Sequence, residues 1–332
     1  MSQSHIRHCS DCESQRTRRE FLRTAGGVAL AGAAGPLLMP RAGLFAAPTK
    51  ESAAETAVGR FYDSLSEQQR GAICFPFNDP QRSKISANWH VTKPTIGDDF
   101  YTGEQRALIT EIVKGVTSED GYERLLKQME DDDGGLNFYS VAVFGEPGQG
   151  AFEWELTGRH LTLRADGDSV DHVAFGGPIV YGHGVEEPSE NLFHYQTKAT
   201  DEVFKSLDAA QAKKALIADA PKESEVPIQG PGGKFPGVAV SELSGDQKEL
   251  VASTLETLLA PYRKEDVDEV MQILKASGGV EGLHMAFYRQ GDLNDDKVWD
   301  IWRIEGPSFV WHFRGAPHVH AYINIGAARS QA

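Results

Sequence analysis

Near its C-terminal end the chain runs Trp311-His312-Phe313-Arg314-Gly315-Ala316-Pro317-His318-Val319-His320-Ala321-Tyr322, which sets histidines, an arginine and aromatic residues close together. Alternate side chains of a strand share a face, so His318 and His320 aim their imidazoles the same way, as a metal ion or an anionic ligand requires. His312 has the same parity, but the Gly315-Ala316-Pro317 segment breaks the strand between them. Two more histidines join the metal-ligand candidates: His160, within Gly158-Arg159-His160-Leu161, and His183, whose flanking Gly182 and Gly184 allow close backbone approach. Neutral imidazoles of this kind suit copper, zinc or iron. His160 and Glu155 are candidates for a general base or further ligand, and Arg314 is a catalytic candidate able to clamp an anion.

The chemistry this points to is metal-dependent hydrolysis or oxidoreduction. Two readings of other classes compete. In one, the protein is a non-enzymatic binder of a small anion or sugar, with Arg314 as clamp and Trp302 and Trp311 as stacking surfaces. In the other it is a structural exported protein whose tryptophans are core. The chain has no HExxH, GxSxG, P-loop, dinucleotide glycine fingerprint or CxxCH, so the usual zinc-protease, serine-hydrolase, nucleotide and c-type haem readings lack their parts. Asp292-Leu293-Asn294-Asp295-Asp296 starts like a calcium loop but has neither the central glycine nor the closing glutamate, where Arg303 stands. An acidic hairpin turn is expected there.

The elements that must position these residues follow from periodicity. Ala57, Phe61 and Leu65 mark a helix over residues 53–65, followed by a turn at 66–70 and a strand over 73–77. Thr102-Gly103-Glu104-Gln105 opens an amphipathic helix to about Val116, and a second helix over 121–129 runs into an acidic turn at Asp131-Asp132-Asp133. Strands are expected over 137–144, 152–156 and 170–175, a loop over 181–188, and a polar helix over 201–217. The later half repeats the order, with Ser244-Gly245-Asp246-Gln247 before one helix, a second over 265–274, and strands over 282–289 and 297–304. TGEQ matches SGDQ, and Trp154-Glu155-Leu156-Thr157-Gly158 matches Trp302-Arg303-Ile304-Glu305-Gly306, which reads as an internal duplication. The fold expected is α+β: two duplicated helix-helix-strand-strand-strand units as pseudo-twofold lobes with mainly antiparallel sheets, the histidines meeting in the cleft between them.

The first residues read differently. A basic polar segment, Thr17-Arg18-Arg19-Glu20-Phe21-Leu22-Arg23, a Gly/Ala-rich apolar run from Ala25 to Met39 and small residues at Ala46-Ala47 make a twin-arginine export signal over residues 1–46. It implies passage of the folded chain through the twin-arginine export machinery to a periplasmic or secreted location, with no stable membrane span after cleavage. The mature remainder divides at Pro221–Pro236, rich in proline and glycine, into an N-terminal lobe over 47–230 with an inserted loop and helix, and a C-terminal lobe over 231–332 carrying the histidine strand. The formal net charge is −15 for the whole chain, and more negative without the arginine-rich head, which argues against nucleic acid as a partner and leaves a small molecule. Cys9 and Cys12 fall in the signal, so Cys74 is alone in the mature chain, a buried thiol by its apolar surroundings.

At the tryptophan strands the sequence resembles the uncharacterised family catalogued as domain of unknown function 3500. The resemblance rests on Trp154, Gly158, His160 and Leu161 in a Trp-x-x-x-Gly-x-His-Leu stretch, on Phe175-Gly176-Gly177-Pro178, and on the C-terminal histidine strand. Members often carry two histidines where this chain has Arg159-His160. The resemblance implies a shared fold unit over most of the mature chain and weight on His160, and it implies no reaction.

Overall fold

The computed structural model describes residues 47–327, and residues 1–46, where an export signal is expected, lie outside them. In chain order, helices α1 (Ala53–Ser64) and α2 (Glu67–Ile73) lead to a two-residue strand β1 (Cys74–Phe75). Helices α3 (Gly103–Gly115) and α4 (Glu119–Asp133) precede strands β2 (Ser140–Gly145), β3 (Phe152–Gly158), β4 (Leu161–Ala165) and β5 (Ile179–His183). The order then recurs: α5 (His194–Ser206), α6 (Ala209–Ala215) and β6 (Leu216–Ile217), a short additional β7 (Val238–Ala239), α7 (Gly245–Leu259) and α8 (Lys264–Ala276). Strands β8 (His284–Tyr288), β9 (Ile301–Gly306), β10 (Phe309–Arg314) and β11 (Val319–Ile325) complete it.

Several elements depart from expectation for local reasons. Residues 66–70 are not a turn, because Ser66 and Gln69 form a reciprocal capping box that starts α2. The Asp131-Asp132-Asp133 run is the last turn of α4, which ends only at the left-handed Gly134 (φ 83°). Residues 181–183 lie in β5 and not in a loop, and the single helix expected over 201–217 is two, α5 and α6, divided by the Asp208 cap.

The strands form one mixed sheet in the order β1-β2-β3-β4-β5-β11-β10-β9-β8-β6, with β7 on β8. The β1–β2 and β6–β8 pairs are parallel and the others antiparallel, so where mainly antiparallel sheets, adjacent or joined, are expected, the strands make one continuous mixed sheet. Its halves join at β5–β11, where Gly182 pairs with His320 and Tyr181 with Ala321. Period-two alternation divides the faces. Trp154, Leu156, Trp302, Ile304, Trp311 and Phe313 turn into the apolar cores under the helices, and Trp302 stacks on its cross-strand partner Phe313 at 4.8 Å. The opposite face carries Glu153, Glu155, Arg164, Arg303, His312 and Arg314. Segments around Ala87, Trp89 and Val226 cover much of it. The core beneath the second half includes Phe193, Val203 and Ala215, so α5 and α6 pack with the residues that follow them. Among the described residues no helix is long and apolar enough to cross a membrane.

Candidate metal centre

His160 occupies the two-residue connection between β3 and β4, where Gly158 pairs with Leu161, and takes a left-handed backbone (φ 56°). Its amide donates to the Ala87 carbonyl at 2.5 Å, which ties the hairpin tip to the covering segment. His320 lies on β11 and His318 just before it, after the cis Ala316–Pro317 peptide. Because β11 runs alongside β5, next to β4, the hairpin tip meets the start of β11. One nitrogen from each of His160, His318 and His320 lies within 4.8 Å of the others. Gly182, opposite His320, has no Cβ where one would meet the Val319 carbonyl at 2.3 Å and the His160 Cβ at 3.2 Å. A Cβ on Gly184 would meet Asp132 at 2.8 Å. Both glycines flanking His183 thus serve the approach of other groups, His160 and Asp132 among them.

Carboxylates hold two of the imidazoles from behind. Asp132 Oδ2 stands 2.8 Å from His160 Nδ1 and accepts from Gln128 at 2.6 Å, while Oδ1 accepts the Gly184 amide at 2.8 Å. Glu223, from the proline-rich connector, stands 3.0 Å from His320 Nδ1 and accepts from the Tyr322 hydroxyl at 3.2 Å. With each Nδ1 donating its proton, Nε2 of His160 and of His320 is a lone pair turned away from the carboxylate, the tautomer a metal takes. His318 Nε2 lies 3.1 Å from His320 Nε2. Two ligands of a tetrahedral ion with bonds of 2.0–2.1 Å stand about 3.3 Å apart, so this pair is spaced for metal binding. The donor set, three imidazole nitrogens with two of the rings held by carboxylates, fits zinc, copper or iron and not calcium or magnesium.

Charge in the site follows from burial. Burial, then the neighbouring His320 and Arg314, lowers His318 to about 4. Burial also lowers His320, outweighing the bond to Glu223 that works the other way. Burial pushes the Glu223 carboxyl up, but His320, Arg314 and Tyr322 together hold it at about 2. Asp132 is likewise lowered: its bonds from His160, Gln128 and Gly184 overcome burial. His318 and His320 are therefore neutral imidazoles at neutral pH, the second of them backed by the Glu223 carboxylate.

Of the residues singled out from sequence, His160, His318 and His320 come together, with Arg314 directly opposite His320 and 2.7 Å from Glu223. His183 is not brought in. It pairs with Val319, so its side chain leaves from the face opposite His320, where Nε2 reaches Asp131 at 3.2 Å and Nδ1 accepts the Leu192 amide. His312 shares the face but pairs with Tyr322, one step along, and is not in the cluster; burial, then Arg303, lowers it to about 3. Glu155 sits three residues behind the hairpin glycine, about 10 Å along the strand. There it contacts Arg164, which also grips Glu153. The contact lacks hydrogen-bond alignment and burial raises the Glu155 carboxyl well above its ordinary value. Trp302 and Trp311 are fully buried on the helix face and offer no stacking surface. Asp132, Glu223 and Tyr322 belong to the site and were not foreseen: 28 and 97 residues separate the two carboxylates from the imidazoles they hold, and no spacing rule joins them.

No curated protein and no solved structure matches the chain. The family profile described as protein of unknown function (DUF3500) matches residues 47–324, a span that contains every residue of the histidine cluster and both carboxylates behind it, and the chain belongs to that family.

Proposed function

We propose that His160, His318 and His320 bind one transition-metal ion, zinc, copper or iron, and that the protein is a metal-dependent hydrolase or oxidoreductase. The observation that carries this reading is the convergence of three imidazoles whose ligating nitrogens lie within 4.8 Å of one another, two of them backed by buried or half-buried carboxylates. A metal with three imidazole ligands keeps a position open for water or substrate and supplies Lewis acidity there. Asp132 and Glu223 fix the rings and raise their basicity. Arg314, opposite His320, is placed to hold an anionic group beside the open position. The test is elemental analysis of the purified full chain after exposure to each of the three metals. About one ion per chain is expected for wild type and none for the His318→Ala/His320→Ala variant; a wild-type chain that retains no metal ends the proposal.

We further infer that the described region is two copies of one unit, arranged as pseudo-twofold lobes that share the sheet. Support comes from the recurring order of elements and from two side-chain pairs at one offset of 142 residues. Gln69 and Gln105 bond to each other and Gln105 to the Ser64 carbonyl; Gln211 and Gln247 do the same with Ser206. On this reading the second copy begins near α5, ahead of the 230/231 division expected from the connector. The twin-arginine head adds the proposal that the chain is exported, folded and metal-loaded, to a periplasmic or secreted location where it meets a small-molecule substrate.

A further inference from the structure

Beside the histidine cluster the same sheet face holds a group of buried polar side chains that the proposed metal centre does not use. Arg303 pairs with His312 across β9 and β10, Arg314 pairs with His320 on one side and Ile301 on the other, and Tyr288 pairs with Ile301. Tyr288, Arg303 and His312 are at most 4 % exposed. Yet the Tyr288 hydroxyl, Arg303 Nη1, His312 Nδ1 and Arg314 Nη2 have no hydrogen-bond partner among the described residues. A buried donor without an acceptor forfeits its hydration, and closed cores seldom gather several such groups.

The two β-hairpins make the gap specific. Behind Gly158 and its two-residue turn, the fourth cross-strand pair is Glu155 with Arg164, so a guanidinium there faces a carboxylate. Behind Gly306 and its own two-residue turn, the fourth pair is Arg303 with His312. Arg303 finds a carboxylate in Glu305, which takes Nε at 2.8 Å and Nη2 at 3.4 Å and leaves Nη1 free. The first hairpin therefore fills this position with a carboxylate of its own, whereas at the second the cross-strand partner of Arg303 is an imidazole and Nη1 meets no acceptor among the described residues. Arg314 is in a similar state: its Nε lies 2.7 Å from Glu223 without alignment for a hydrogen bond, and Nη2 has nothing.

We propose that Tyr288, Arg303, His312 and Arg314 form a pocket for the carboxylate group of a small organic acid, adjacent to His320. Two guanidinium nitrogens supply charge-assisted bonds and the phenol a third donor, a set suited to a planar carboxylate. That the acid is a substrate rests on the metal-centre reading above; the pocket itself does not. Arg303 Nη1 and Arg314 Nη2 meet no acceptor among the described residues, so the ligand brings one.

The experiment is calorimetric titration of the full chain with acetate, with neutral acetamide and inorganic phosphate as comparators, on wild type and on Tyr288→Phe. Saturable acetate binding is expected in wild type and about tenfold weaker binding in Tyr288→Phe, the loss of one bond to a charged acceptor. The Tyr288→Phe chain without acetate is expected to melt no lower than wild type, because the hydroxyl it loses has no partner among the described residues. Acetate bound equally by both chains, acetamide bound as well as acetate, or phosphate bound more tightly than acetate would each overturn the proposal. Metal analysis of the same samples separates the two readings. Acetate binding by a chain that holds no metal sustains the pocket and removes the metal centre, and a metal-bearing chain indifferent to acetate removes the pocket alone.

Discussion

At the scale of single residues, the proposed centre would depend on side chains behind the imidazoles and not only on the imidazoles themselves. Asp132 is 3 % exposed at its side chain and fixes His160 Nδ1 while itself held by Gln128 and Gly184. In Asp132→Asn the amide keeps the shape but loses the charge that makes His160 a good donor, so metal affinity is expected to fall about 10- to 100-fold. Competition against a chelator of known affinity measures it, and an unchanged dissociation constant would remove Asp132 from the site. The histidines were legible in the sequence because alternation on a strand is a local rule, and His318 and His320 obey it. His183 and His312 satisfied the same composition and failed on facts set at a distance, the register with β11 for one and a step along the sheet for the other. Asp132 stood in plain view as part of an acidic run. Only the extension of α4 through Asp133, which no periodicity in that polar segment announced, brings it against His160.

At the scale of elements, each half carries a glutamine that does two jobs. Gln105 closes the capping box on Thr102 at the start of α3 and also bonds Gln69, and Gln247 does the same with Ser244 and Gln211. Burial differs: Gln105 is 2 % exposed, whereas Gln247 is only partly buried. Gln105→Ala removes a cap and orphans a buried amide, so about 2–3 kcal/mol of stability is expected to go. At Gln247 the orphaned groups reach water and about 1 kcal/mol is the cost. Urea unfolding of the two variants should rank them in that order, and equal midpoints would mean that the buried pairing contributes nothing. The Thr102/Gln105 and Ser244/Gln247 signatures were readable, since a capping box is a four-residue pattern. Over the α5–α6 pair the sequence predicts one polar helix at 201–217, because its apolar residues are sparse and their partners lie in α7 and β8.

At the scale of the whole molecule, the continuous sheet is reinforced on its helix side by charge. Arg263, at the start of α8, grips both oxygens of Glu55 on α1 at 2.8 Å and also Asp266, all of them buried. Glu55→Gln leaves the guanidinium short of a counter-charge and is expected to cost about 3 kcal/mol. Thermal unfolding should remain a single transition, because β5 and β11 do not let the halves part. Neither contact between the halves was legible: 208 residues separate Glu55 from Arg263, and no pattern within one half points at the other. Close to this ion pair, acidic groups crowd. Glu269 on α8 faces Asp166 and Asp168 after β4, Asp266 on its own helix and the cation Arg263. Burial, then the neighbouring Asp166 and Asp266, pushes its carboxyl up to about 8. Asp166 is raised to about 7, by burial and then by Glu153 and Glu55. Both groups hold a proton in the folded chain that the unfolded chain releases near pH 4. The folded state therefore binds more protons between about pH 4 and pH 8, and stability falls as pH rises through that window. Glu269→Gln keeps the protonated shape at every pH. It is expected to leave stability near wild type at pH 4.5 and to raise it by about 4 kcal/mol at pH 8.5, where wild type carries the charge. Chemical denaturation across that range decides it: parallel curves for the two chains would mean that Glu269 ionises normally in the folded protein, and converging curves toward acid would mean that it does not.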